Sequence, residues 1–200
     1  MEKPFTLISD GLNLEGRIEK QSETSAVIIT HPHPLMGGDM DNPVVNRIRL
    51  AYLKKGYSTV RFNFRGTGQS EGDHNHGCGE INDVKAAFSY LRDNGFEHID
   101  LSGYSFGAWV NLMTAANEDK LSRLVLVSPP VDYIKFEPFS GISNLFLVIS
   151  GSQDAYASPD HIKKLLKNWN KNAIFKEILG ADHFYSGALD KLGQILEDYL

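Results

Sequence analysis

Cysteine is almost absent from this chain: Cys78 stands alone among 200 residues. An internal disulfide is therefore impossible, as is a cysteine-rich zinc motif, and a reducing compartment, the cytoplasm, is expected. Long apolar runs are missing too. Stretches such as Leu145 to Ile149 fall far short of the roughly 20 residues that span a bilayer, and the opening MEKPFTLISDGL lacks the basic segment and apolar core of a secretory signal. A soluble, unprocessed chain with no membrane partner is expected. Nor is there a basic block. The 20 basic and 25 acidic residues are spread along the chain, giving a net charge of −5, so nucleic acid is not an expected partner.

What is present is an ordinary globular composition, 42% apolar and 22% charged, enough for one substantial core. One domain over 1–200 is expected. Strand-like segments recur at Ala26 to Thr30, Ser58 to Phe64, His98 to Leu101, Leu121 to Val127, Leu145 to Ser150 and Ile174 to Ile178. Helix-like stretches lie between them, at Val44 to Lys55, Ile81 to Asn94, Ser105 to Asn117 and His161 to Asn168, with a last one from about Gly187 to Leu200. Most of the strands are apolar on both faces. This alternation predicts an α/β fold with a mainly parallel sheet covered on both sides. Phe5 to Ile8 and Leu12 to Glu19 flank Asp10-Gly11, a hairpin signal, so the sheet is expected to begin with an antiparallel pair. In open sheets of this kind ligands gather at the carboxyl ends of the strands.

The stretch SGYSFGAW, Ser102 to Trp109, places Gly103, Ser105 and Gly107 between a strand and a helix with almost no loop. Such a turn strains its middle residue, needs very small neighbours so that helix can pack on strand, and thrusts the serine hydroxyl out beside the following amide, that of Phe106. A serine hydroxyl is a weak nucleophile until a base takes its proton and an acid holds that base in the right tautomer. Both follow, each after a strand: Asp154 in GSQD and His183 in GADHF. Taken singly, an aspartate there is a turn former and a lone histidine a structural residue. The order serine, acid, histidine is that of the α/β-hydrolase arrangement.

On HPHPLMGGDMDNPVV from His31, RFNFRGTGQSEG from Arg61, GYSFGAW from Gly103, and the GSQD and GADHF pair, the chain resembles the small α/β-hydrolase-fold serine hydrolases grouped near the dienelactone-hydrolase and prolyl-oligopeptidase-like branches. Dienelactone hydrolases use cysteine at the elbow, whereas Cys78 lies far from it in the sequence. The resemblance implies catalytic roles for Ser105, Asp154 and His183 and an oxyanion hole built from the backbone amides of Phe106 and His33. Pro32 and Pro34 have no amide hydrogen, so His33 and Leu35 are the candidate donors in their loop, and the family pattern favours His33. It also implies that Arg65 and the glycines of GTGQSEG form a structural loop beside the active site, with Asn63 where related sequences often carry aspartate.

Only about sixteen residues separate Val127 from Leu145, too few for a cap domain, so an open site is expected. Leu35, Tyr133, Phe136 and Phe139 are candidate substrate contacts, the aromatic ones with core packing over the sheet edge as the competing role; Trp109 is expected in the core. The pairs His31/His33 and His74/His76 have a spacing that can converge on zinc, but further ligands at the spacing of a hydrolytic site are missing and no metal is expected. GTGQSEG is one residue too long for a dinucleotide turn, so no cofactor is expected. The expectation is a hydrolase of small carboxylic esters or related acyl compounds. A peptidase or thioesterase with the same three residues, and a non-catalytic binding protein on the same scaffold, remain alternatives, and the sequence leaves a homo-oligomer open.

Overall fold

The computed structural model describes residues 1–116, 121–136 and 139–200. Its chain begins with the expected hairpin, β1 (Lys3–Ser9) and β2 (Leu12–Glu19). Asp10 and Gly11 both take positive φ, 50° and 80°, the two left-handed residues of a turn whose twist matches the paired strands. From there strands and helices alternate: β3 (Ser25–Thr30), α1 (Pro43–Lys54), β4 (Ser58–Phe62), α2 (Cys78–Asp93), β5 (His98–Tyr104), α3 (Phe106–Ala115), β6 (Leu124–Val127), β7 (Leu145–Gly151), α4 (Pro159–Trp169), β8 (Ile174–Ile178) and α5 (Leu189–Tyr199).

The eight strands form one sheet in the order β1-β2-β4-β3-β5-β6-β7-β8. β2 pairs antiparallel with β4, and every later pairing is parallel. One face is covered by α1 and α5, where Val45, Ile48, Tyr52, Leu192 and Leu196 meet Val27, Ile29, Val125 and Leu147. The other is covered by α2, α3 and α4, where Val84, Leu91, Ala108, Val110 and Ile162 meet Ile28, Val60, Leu101 and Val148. Burial on both faces is why these strands read as continuous apolar runs rather than alternating ones.

Several element ends differ from the sequence reading, each for a local reason. Helix α1 starts at Pro43 because the Asn42 side chain accepts from the Val44 amide and proline needs no partner at the first helical position. α2 starts three residues before Ile81, since the buried Glu80 carboxylate reaches back to the amides of Gly77 and Asn75. β5 continues through the small residues Ser102 and Gly103 to Tyr104, and β6 begins only at Leu124. Asn117, the expected end of α3, lies outside the described residues.

Candidate active site

Ser105 sits directly between β5 and α3, at φ 55° and ψ −119°, a conformation that costs a non-glycine residue of order 1–3 kcal/mol. The flanking glycines are there for space, not for φ. A Cβ on Gly103 would lie 2.6 Å from the Gly107 backbone, and one on Gly107 would lie 2.7 Å from the His31 carbonyl oxygen. The first contact lets α3 close on the strand that precedes it; the second lets the loop after β3 press against the start of α3. The Ser105 amide donates to the Val127 carbonyl at 2.9 Å, fixing the turn to the end of β6.

The three residues remote in sequence come together. Ser105 Oγ lies 2.9 Å from His183 Nε2, and His183 Nδ1 lies 2.9 Å from both carboxylate oxygens of Asp154. All three are buried, with His183 and Ser105 reaching the cavity surface. With Nδ1–H donating to the carboxylate, Nε2 is left as acceptor for the serine proton, the tautomer a general base needs. Burial pushes the Asp154 carboxyl up, but the hydrogen bond and charge of His183, with bonds from Ser128 and the Tyr156 amide, outweigh it and hold the group below its ordinary value.

The loops that carry the acid and the histidine are laced to one another. Gln153 N donates to Ala181 O at 2.9 Å, Ser152 N to Ile178 O at 3.0 Å and Gly180 N to Ser152 Oγ at 2.8 Å. A Cβ on Gly151 would meet Ala181 O at 2.2 Å, so glycine is required at the end of β7 for the two loops to touch. Tyr104, inside the G-x-S-x-G motif, donates its hydroxyl to the His183 carbonyl at 2.9 Å and so ties the serine turn to the histidine loop.

Ser128 was not singled out in the sequence. It follows β6 at φ 45°, fully buried; its hydroxyl lies 2.8 Å from the Tyr185 hydroxyl, and it is among the groups that hold the Asp154 carboxyl below its ordinary value. Burial raises the Tyr185 hydroxyl well above its ordinary range, which keeps it protonated. The signal available was slight: a serine before Pro129-Pro130 reads as a turn.

On the opposite wall lies the HPHP loop. His31 is buried; its Nδ1–H donates to the Pro32 carbonyl at 2.7 Å and its Nε2 accepts from the Phe64 amide at 2.9 Å. Burial, offset in part by the Pro32 bond, pushes its pKa down to about 4. His31 is thus a neutral staple between the loops after β3 and β4. In the 3-10 turn Pro34–Met36 that follows, the Leu35 amide donates to His33 Nδ1 at 3.2 Å, and the amides of Met36, Gly37 and Gly38 donate to carbonyls within the turn. Among the described residues no acceptor faces the amides of His33 or Phe106, and both residues line the cavity. That separates the two candidate donors in this loop: the Leu35 amide is occupied and the His33 amide is not.

The cavity beside Ser105 is about 330 Å³, walled by Pro32, His33, Met36, Tyr104, Phe106, Pro130, Tyr133, Ile134, Tyr156 and Phe184 among others. Of the four candidate substrate contacts, Tyr133 lines it. Leu35 points to solvent and is not part of the wall. Phe136 is a correction: it is fully buried, its ring 5.4 Å from Trp169, and Phe139 packs against the same cluster. Both rings complete the core over α4 instead of facing the cavity. Trp109 packs on the core, 5.7 Å from Phe106.

The second histidine pair is not simply solvated. His74 Nδ1 lies 2.8 Å from the buried Glu80 carboxylate, and its ring contacts those of His33 and His76 at 4.9 and 5.0 Å. No group of three or more potential ligands is arranged to hold a metal ion among the described residues. The GTGQSEG segment is tied to the first hairpin, Ser70 and Glu71 bonding to Glu15 and Asn13. Asn63 accepts from the Met40 amide and donates to Glu15, while Arg65 is held by Asp83 and Asp10. No described helix is long and apolar enough to cross a membrane.

Comparison with known proteins agrees with this architecture. The model of the S15 peptidase family, described as X-Pro dipeptidyl-peptidase, matches residues 6–185. An uncharacterized protein of Rickettsia prowazekii (strain Madrid E) is 32% identical over 199 residues, covering 94% of this chain and 84% of that protein. Among solved structures, an α/β serine hydrolase homologue from Coxiella burnetii superposes with a TM-score of 0.92 at 33% identity, over 99% of this chain and 97% of the other. A member of the α/β serine hydrolases without lid, from Xanthomonas campestris, does so with a TM-score of 0.90 at 28% identity, over 98% and 92%. The chain has the α/β-hydrolase fold of these serine hydrolases and belongs to the S15 peptidase family.

Proposed function

We propose that the protein is a metal-independent serine hydrolase of small carboxylic esters. Ser105 attacks the ester carbonyl while His183 takes its proton, Asp154 holds the imidazole and balances the charge it gains, and the oxyanion is received by the amides of Phe106 and His33. The C–O bond then breaks and the leaving alcohol takes the proton from His183. Water, activated by the same imidazole, releases the acid from Ser105. The observation that carries this reading is the unbroken hydrogen-bonded chain from Asp154 to Ser105, opening on a cavity with two amides that have no acceptor among the described residues.

A peptidase reading is favoured by the description of the family model. Removing a dipeptide requires the substrate's free α-ammonium to be held, and an ammonium taken out of water needs a carboxylate partner. None of the described residues lining the cavity is Asp or Glu. Asp154 stands behind His183 with its oxygens engaged. An ester, which carries no such charge, makes no such demand.

The two readings part on a pair of substrates. p-Nitrophenyl acetate is expected to be cleaved by the wild type and not by S105A, and glycyl-prolyl p-nitroanilide by neither. Efficient cleavage of the dipeptide anilide would assign the site to a peptidase; full ester turnover by S105A would remove Ser105 from the chemistry.

A further inference from the structure

Large apolar side chains left in water are concentrated at the mouth of the Ser105 cavity. Met36, Tyr133 and Phe184 form part of its wall and are still 67, 63 and 65% exposed. Tyr156 lines it and is likewise exposed, and Leu35 stands exposed beside Met36. These residues come from four separate loops: the turn after β3, the β6–β7 segment, the β7–α4 loop and the β8–α5 loop. The remaining exposed large apolar side chains among the described residues sit on separate elements, Met1 at the terminus, Ile8 on β1, Leu50 on α1 and Leu179 just after β8. An apolar rim assembled from four loops around a cleft is a binding surface, because the packing of no single loop accounts for it.

The cavity inside the rim is small. Its volume of about 330 Å³ is at the low end of small-molecule sites, which run from about 300 to 1,000 Å³. No Asp, Glu, Lys or Arg lines it among the described residues. A short acyl group and its leaving group fill such a space, and a longer chain must leave through the mouth. Because Met36, Tyr133 and Phe184 each belong to both wall and rim, a hydrocarbon leaving the cavity stays on the same side chains.

We propose that the rim extends the substrate site, and that the preferred substrates are uncharged esters whose acyl chains are longer than the cavity, their outer methylenes lying across Met36, Tyr133 and Phe184. This rests on the ester-hydrolase reading above. A second copy of the chain seated on the rim would cover the cavity, whereas a substrate chain uses both.

The test is kcat/KM for p-nitrophenyl acetate, butyrate, hexanoate and octanoate, each below its aggregation concentration, with the wild type and the triple variant M36S/Y133S/F184S. In the wild type the octanoate-to-acetate ratio is expected to exceed about tenfold, since each methylene removed from water favours binding, and the variant is expected to lose most of that gain. The ratio is internal to one preparation, so a smaller active fraction in the variant cancels. Acetate turnover with a ratio that is flat, falls with length, or is unchanged in the variant overturns the proposal and leaves the ester reading standing. Failure to cleave any of the series overturns both. A wild-type dimer that the variant converts to a monomer, seen by light scattering, would assign the rim to a second copy and likewise overturn it.

Discussion

Ser128 illustrates what a single buried hydroxyl contributes. Its hydroxyl pairs with that of Tyr185 and helps to hold the Asp154 carboxyl below its ordinary value, which makes it a positioning residue for the proposed acid. In S128A the carboxylate loses a hydroxyl that helps to hold it below its ordinary value. It then binds a proton more tightly, its own or that of the imidazole, so the acid limb of the kcat/KM profile is expected to move to higher pH. Stability should fall by about 1–3 kcal/mol, because the Tyr185 hydroxyl is left buried without its Ser128 partner. An unmoved limb alongside that loss would reduce Ser128 to a structural role. At this scale the sequence is legible where a polar residue interrupts the end of an apolar run, which is how Ser105, Asp154 and His183 stand out. Ser128 is hidden by the prolines after it, and Gly151 by being one more glycine in a turn. Phe136 and Phe139 show the opposite failure. Aromatic character says that a ring will be covered, but not whether core or ligand covers it, and here Trp169 does so for Phe136.

The elements around the site are held in place by loops as much as by the sheet. His31 staples the turn after β3 to Phe64, and it does so as a neutral ring. Its pKa is pushed down from 6.5 to about 4 in the folded protein, so between those values the unfolded chain binds a proton that the folded chain refuses. This contribution to stability is complete above pH 6.5 and is lost as the pH falls toward 4, by about 3 kcal/mol. Urea unfolding at pH 7 and pH 4 tests it against H31Q, which keeps a donor and an acceptor but does not titrate. The variant is expected to lose less stability over that interval than the wild type; an equal loss would mean that His31 does not carry the dependence. The elements themselves are readable from apolar runs and turn residues, while their ends are set by contacts that periodicity does not register. Glu80 reaching back to Gly77 and Asn42 capping Val44 lengthen two helices, and Ser102-Gly103 conceals the last turnward residues of β5. Histidine spacing alone does not say what a ring does, and the hydrogen bonds assign His31 to loop stapling.

Across the whole molecule, the parallel order, the two helical layers and the opening hairpin follow from alternation and from strands apolar on both faces. The exchange of β3 and β4 in the sheet does not, since it depends on which neighbour each strand finds after its crossover. The cavity is the least legible feature, being assembled from loop tips that are neighbours only in space. That assembly brings hydroxyl to imidazole and imidazole to carboxylate at 2.9 Å each, and the proposed chemistry stands on it. The direct measurement is exposure of the intact protein to a fluorophosphonate, with the adduct mapped by mass spectrometry. One adduct is expected, on Ser105, absent from S105A and formed far more slowly in H183A. A protein that takes no label, or takes it on another residue, would contradict the proposed chemistry.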